Sequence, residues 1–548
     1  MRSLSCALAL VAVCATAAPF VIHSVEAQSP TCLVSTSVGD IQGLDRGTSC
    51  AFLGIPFAAA PVGALRWKAP QPVTPWAPAV MYATSPPATC AQLSVANGQP
   101  TGSEDCLKLN IWTPSPTPSS GAPVIVWLHP GAFANASANF APQNGQILAA
   151  LTEAIIVEPN YRLGPFGFLG HGALLTEGGG AGNYGFLDQR AALFWVREHI
   201  AAFGGDPANV TLAGQSAGAH SVALHLVSPG SGGLFHRAIM QSGYASVRWR
   251  DTIDAQSQGD HLASALGCSG GEPASLLACL RSKSRDQVLL ADPPNLFESV
   301  LETGRTQWTP IVDGVEIPDQ PRNLFERDAF THVPVLLGAN RDEGWTFVQR
   351  SFPANVNLDQ YEATLESEFG SDARSIGEAY PTENFRSPKD ALAALIGDVE
   401  YICEARRVAR MIERSGMPVF LYLFGHEVDP VSPDRVVHGL EVNFVFGNSY
   451  SPPLFPAYVL GEHDLPLFMS MAGYWTRFAR TGSPNTDDPD VVHWPAFSRP
   501  EGRGRGVDKY VALDLPIHQG VRLQESVCDL WEPRFYRSTT GAIPAMAP

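Results

Sequence analysis

Gly214-Gln215-Ser216-Ala217-Gly218 joins a short apolar run, Val210–Ala213, to an apolar helical segment, Ala217–Leu226. Small residues around Ser216 allow a sharp strand-to-helix turn that lifts the side chain above the end of a sheet. A strand that feeds straight into a helix belongs to a layered α/β architecture. The chemistry is constrained as well. A serine hydroxyl is a poor nucleophile until a base takes its proton, and the amide of Ala217, at the start of a helix, is placed to stabilise a developing oxyanion. Context separates this motif from a second match. Gly267-Cys268-Ser269-Gly270-Gly271 follows a helical segment rather than a strand, and it reads as a loop. Gly180-Ala181-Gly182-Asn183-Tyr184-Gly185 matches a dinucleotide fingerprint but follows a polar glycine-rich loop, so it does not read as a nucleotide site.

The rest of the chain repeats the strand–helix alternation. Val124–Leu128, Ala154–Val157, Ala238–Gln241, Val333–Gly338 and Val419–Phe424 are continuous apolar runs, suited to strands buried on both faces. Leu187 to Phe203 reads as a helix whose apolar face includes Ala191, Phe194, Trp195 and Ile200, stopped by Gly204-Gly205-Asp206-Pro207. Near the N-terminus, Cys32–Thr36, Ile41–Leu44 and Ala51–Ile55 read as strands. This pattern predicts a large, mainly parallel sheet flanked by helices. With no internal repeat or composition break, residues 28–548 are expected to form a single domain.

The first residues look like an export signal. Arg2 precedes an apolar, small-residue stretch from Leu4 to Ala18, Pro19 breaks it, and Val25-Glu26-Ala27 suits cleavage after Ala27. Loss of residues 1–27 removes Cys6 and Cys14 and leaves Cys32, Cys50, Cys90, Cys106, Cys268, Cys279, Cys403 and Cys528. An even set in an exported chain suggests disulfides. Proximity pairs Cys32 with Cys50, Cys90 with Cys106, and Cys268 with Cys279, which leaves Cys403 with Cys528. The expected location is extracellular or periplasmic, with no membrane span in the mature chain. Lys and Arg total 36 against 53 Asp and Glu, a net charge of −17. That balance excludes a generally basic nucleic-acid binder.

The surroundings of Ser216 resemble those of the type-B carboxylesterase/lipase family, which includes cholinesterases, juvenile hormone esterases and certain fungal lipases. The likeness extends through Phe52-Leu53-Gly54-Ile55-Pro56-Phe57-Ala58, Pro61 to Pro70 and Glu104-Asp105-Cys106-Leu107-Lys108-Leu109-Asn110. It continues through Gly182-Asn183-Tyr184-Gly185-Phe186-Leu187-Asp188-Gln189 and Phe203-Gly204-Gly205-Asp206-Pro207, and ends near Trp475 to Asn485. The resemblance implies an α/β-hydrolase fold with a catalytic order of Ser, then Asp or Glu, then His. The apolar run Val333–Gly338 leads into Asp342 and Glu343, and the residues alone leave a choice between them. The family motif puts the acid at Glu343. Among the later histidines, His438 precedes a glycine in a loop and sits in a segment similar to the family's catalytic-histidine loop. The oxyanion donors implied are Gly131, Ala132 and Ala217. Pro130, which lacks an N–H, departs from the usual three-glycine run. The resemblance also implies the last three disulfide pairs and a supporting role for Ser242 in Gln241-Ser242-Gly243.

The expected protein is therefore an exported serine carboxylesterase that forms an acyl-enzyme on small-molecule esters, with no metal or organic cofactor. Two departures narrow the substrate. The segment Ala91–Asp105 is short and has no aromatic residue, so it lacks the tryptophan with which cholinesterases hold choline. Its main large apolar residues are Leu93 and Val95, so it is not the long amphipathic lid of the fungal lipases. Soluble short or medium acyl esters are expected, with a triacylglycerol lipase as the alternative. A non-catalytic, neuroligin-like binding protein would lack the nucleophile. The sequence leaves the oligomeric state open.

Overall fold

In the computed structural model, the residues described are 32–114, 121–178, 180, 182–246, 248–293, 308–352, 354–428, 435–449, 458–497 and 507–537. The expected leader and its cleavage after Ala27 lie outside them. The centre is an 11-stranded sheet. Its strands are β1 (Leu44–Asp45), β2 (Ser49–Pro56), β3 (Lys108–Pro114), β4 (Ala122–Leu128), β5 (Ile155–Pro159) and β6 (Gly205–Gln215). They continue with β7 (Arg237–Gln241), β8 (Val335–Asn340), β9 (Val419–Phe424), β10 (Lys509–Leu513) and β11 (His518–Val521). The order across the sheet is β11-β10-β9-β8-β7-β6-β4-β5-β3-β2-β1. From β5 through β10 the neighbours run parallel, and antiparallel strands close both flanks.

Every residue of β4 is buried. Val124, Val126 and Leu128 face one apolar layer while Ile125 and Trp127 face the other. This two-residue alternation explains why the central strands read as unbroken apolar runs. The helices that cover the sheet and bear on the site are α1 (Tyr184–His199), α2 (Ala217–Val227), α3 (Cys403–Arg414), α4 (Glu441–Phe446), α5 (Leu465–Thr481) and α6 (Glu525–Arg537). α1 ends earlier than expected, because Ile200–Phe203 tightens into a 3₁₀ turn capped by Gly204 at φ 86°. Phe194, expected on its apolar face, is instead exposed, with the Arg197 guanidinium over its ring at 4.9 Å. The buried face is carried by Phe186, Leu193, Trp195 and Val196.

Four disulfides tie the outer layers together: Cys32–Cys50, Cys90–Cys106, Cys268–Cys279 and Cys403–Cys528. No described helix is long and apolar enough to cross a membrane.

The strand order reverses between β5, β4 and β6. Such a switch opens a crevice at the carboxyl ends of the strands. Leu128 lies beside Gly214, Gln215 beside Gln241, Gln241 beside Gly338, and Asn340 beside Phe424. The segments that follow these residues therefore leave the same edge of the sheet, and they carry His129–Phe133, Ser216, Ser242, Glu343 and the run towards His438.

Candidate active site

Ser216 sits between β6 and α2 with φ 55° and ψ −122°. This is a strained conformation for a residue with a side chain. It is tolerated because its neighbours bring the chain very close. A Cβ on Gly214 would lie 2.5 Å from the Gly218 carbonyl carbon, and one on Gly218 would lie 1.9 Å from the Leu128 oxygen. Ser216 N–H donates to Gln241 O at 2.9 Å, which fixes the turn against β7. The side chain is half-buried, and its hydroxyl has no partner among the described residues.

Of the two adjacent carboxylates, Glu343 reaches His438, with Oε2 2.5 Å from Nδ1. Glu343 is fully buried. Its other oxygen accepts from Ser242 Oγ at 2.5 Å and from the Asn340 N–H at 2.7 Å. Asp342 turns away, accepting from Val436 N–H at 2.8 Å and pairing with Arg341. The second ring nitrogen, His438 Nε2, lies 3.2 Å from Gln215 Nε2. An amide nitrogen only donates, so Nε2 presents its lone pair and the ring proton sits on Nδ1, towards Glu343. Phe347 and Tyr401 flank the imidazole, with ring centroids at 5.2 and 5.1 Å. Tyr401 is held there by a π-helical turn, Asp398–Ile402, that precedes α3.

Behind Glu343 lies a second buried carboxylate. Glu441, at the start of α4, accepts from Asn340 Nδ2 at 2.5 Å and Gln241 Nε2 at 3.2 Å. Trp475 Nε1 on α5 holds the other end of Gln241 at 2.7 Å. Burial, reinforced by the Glu343 charge, pushes the Glu441 carboxyl up from the usual range. The sequence reading passed over Glu441, Gln215 and Asn340. The available signal for Glu441 was a carboxylate set within the apolar stretch Val437–Phe446.

The loop after β4 adopts left-handed backbone at three successive residues: Gly131 at φ 113°, Ala132 at 52° and Phe133 at 58°. A Cβ on Gly131 would lie 2.2 Å from Asn135 O, so glycine is required there. Gly131 O accepts from the Ala134 and Asn135 N–H groups at 3.0 and 2.9 Å. The N–H groups of Gly131, Ala132 and Ala217 have no acceptor among the described residues. His129 anchors the loop. Its ring stacks on Tyr161 at 4.2 Å, Nδ1–H donates to Pro130 O at 2.8 Å, and Tyr161 OH donates to His129 O at 2.8 Å. Burial pushes His129 down to about 4. The proline that departs from the glycine run thus supplies a carbonyl that fixes the ring beneath it.

The segment Ala91–Asp105 is pinned rather than free. Gln92–Leu93 pairs with Pro100–Thr101, Gln92 exchanges hydrogen bonds with both Ala136 N–H and Ala136 O at 2.9 and 3.0 Å, and Asn135 Nδ2 donates to Leu93 O at 2.9 Å. Ser269, in the second Gly-x-Ser-x-Gly match, lies past the helix Thr252–Ala265, beside the bridged Cys268. The structure thus brings Ser216, Glu343, His438, Gly131, Ala132, Ala217 and Ser242 to one edge of the sheet, and leaves Asp342 and Ser269 outside the cluster. A protein-family model described as the carboxylesterase family matches residues 30–531.

Proposed function

The chain belongs to the carboxylesterase family, an α/β-hydrolase family of serine hydrolases acting on carboxylic esters, and from that premise we propose that Ser216, His438 and Glu343 carry the reaction through an acyl-enzyme. The observation that carries this reading is the Nδ1 contact of His438 with buried Glu343, which leaves Nε2 as a base. His438 takes the Ser216 proton as the hydroxyl oxygen attacks the ester carbonyl. Glu343 holds the tautomer and stabilises the imidazolium that forms. The oxyanion is received by the Gly131, Ala132 and Ala217 N–H groups, each worth on the order of 10²–10³ in rate in comparable sites. The imidazolium returns its proton to the leaving alcohol. Water, deprotonated by the same imidazole, then releases the acid and frees Ser216.

The substrates proposed are soluble esters with short or medium acyl chains. The support is the pinned segment between Cys90 and Cys106, which is tied to Asn135 and Ala136 and offers no long apolar lid. Four disulfides and the leader-like residues 1–27 support export, with residues 28–548 working as one domain. Hydrolysis rates across chromogenic esters of increasing acyl length, soluble and emulsified side by side, test the substrate class. Turnover of dissolved short esters with no jump at the solubility limit is expected. A sharp rise on emulsified long-chain triglyceride, with little activity on soluble esters, would replace this reading with a lipase.

A further inference from the structure

One polar side chain near Ser216 has no part in the steps above. His220 lies one turn along α2, and its N–H donates to Ser216 O at 2.9 Å. Residues four apart on a helix share a face, with Cβ atoms about 5–6 Å apart. The His220 ring meets Trp249 edge-on at 5.6 Å, and Trp249 in turn meets Phe133 edge-on at 5.9 Å. Phe133 follows the Gly131 and Ala132 amides directly. Phe133, Trp249 and His220 therefore form a continuous wall running from the oxyanion loop to α2. His220 shares its helix face with Ser216, so this wall borders the nucleophile.

Two of the wall's three polar side-chain atoms are spent on Ala245: Trp249 Nε1 donates to Ala245 O at 3.2 Å, and His220 Nδ1 accepts from its N–H. Ala245 has left-handed backbone at φ 56°, and its N–H donates to His220 Nδ1 at 3.2 Å. Burial, with the nearby His438 charge, pushes His220 down to about 4, so the ring is neutral at neutral pH. With Nδ1 accepting, the single ring proton belongs to Nε2. The two ring nitrogens point apart, so this N–H is directed away from Ala245. The side chain is half-buried, and Nε2 has no partner among the described residues.

We propose that this wall receives the acyl group, and that His220 Nε2–H is a specificity-determining donor that selects esters whose acyl chain carries an acceptor oxygen within two or three atoms of the scissile carbonyl. This rests on the acyl-enzyme reading at Ser216. Alkoxy-, keto- or hydroxy-substituted short acyl groups fit the wall, because they fill its apolar part and meet its one remaining donor. A purely alkyl acyl group leaves that donor unpaired when water is displaced.

The test compares 4-nitrophenyl methoxyacetate with 4-nitrophenyl butyrate, whose acyl groups differ by oxygen in place of methylene. Each kcat/KM is divided by the same ester's rate with hydroxide, which removes intrinsic reactivity. The normalised ratio is expected to favour methoxyacetate in the native protein and to fall about five- to tenfold in His220→Phe, the loss of one hydrogen bond. His220→Gln keeps an acceptor for Ala245 and a donor for the substrate, and is expected to retain part of the preference. A native ratio at or below one overturns the proposal without any variant. So does a ratio in His220→Phe within twofold of native, provided an organophosphate still titrates Ser216. Absence of a Ser216 adduct on the native protein would overturn the underlying reading, and this one with it.

Discussion

Ser216 stands in a backbone conformation that side chains avoid, at φ 55°. The turn can be this tight because Gly214 and Gly218 lie against backbone that a Cβ at either position would strike. Glycine spacing around one serine, after an apolar strand, was therefore legible in the sequence. The choice between Asp342 and Glu343 was open from the residues alone, because adjacent carboxylates have the same chemistry; the family resemblance pointed to Glu343, and the tertiary contacts separate the one at 2.5 Å from His438 from the one bonded to Val436. Gln215 was silent for a similar reason, since its contact with His438 spans 223 positions. Its neutral amide donates to Nε2 at 3.2 Å. Gln215→Glu puts a carboxylate where that amide sits, which favours imidazolium. The acid limb of the kcat/KM profile is expected to move to higher pH, by on the order of one unit. An unmoved limb, or one moved to lower pH, would show that Gln215 does not govern this nitrogen.

At the scale of elements, the central strands were readable because burial on both faces leaves an uninterrupted apolar run. β10 and β11 were not among the strands expected, and β11 shows why: its residues are mostly exposed at the sheet edge and carry no such run. Phe194 was misassigned because an aromatic residue at helical spacing looks like core, whereas here the Arg197 guanidinium covers it. The π-helical turn Asp398–Ile402 has no sequence signal at all. It sets Tyr401 against His438 and buries Asp398, whose Oδ2 accepts from Tyr380 OH at 3.1 Å. Burial pushes Asp398 up to about 7, against the lowering effect of that hydrogen bond. In the unfolded chain an aspartate titrates near 4, so the folded state holds its proton more tightly. Stability from this group is present below about pH 4 and is lost as pH rises towards about 7. Asp398→Asn removes the penalty and keeps an acceptor for Tyr380. Denaturant unfolding is expected to show a gain on the order of 2 kcal/mol at pH 8 and almost none at pH 4. A gain of equal size at both pH values would mean that Asp398 is not the titrating group.

Across the whole molecule, the proposed chemistry depends on bringing residues from distant parts of the chain to one edge of one sheet. The strand order does this: β4, β6, β7 and β8 end side by side, and the loops that leave them carry the amide donors, Ser216, Ser242 and Glu343. His438 arrives from the longer segment after β9, and the Cys403–Cys528 bridge ties α3 to α6 across 125 positions. The sheet and its mainly parallel sense were legible from alternating strands and helices. The meeting of Gln215, Glu441, Asn340 and His220 around the site was not, since each is an ordinary polar residue until the fold places it. The central claim, that Ser216 is the nucleophile, is tested most directly by labelling the active protein with an organophosphate and mapping the adduct by mass spectrometry. One adduct per chain on Ser216 is expected, formed in step with loss of turnover, while Ser216→Ala takes up no label and loses on the order of 10⁴-fold or more in kcat. An adduct on Ser269, or no adduct on a protein that still hydrolyses esters, would contradict the account.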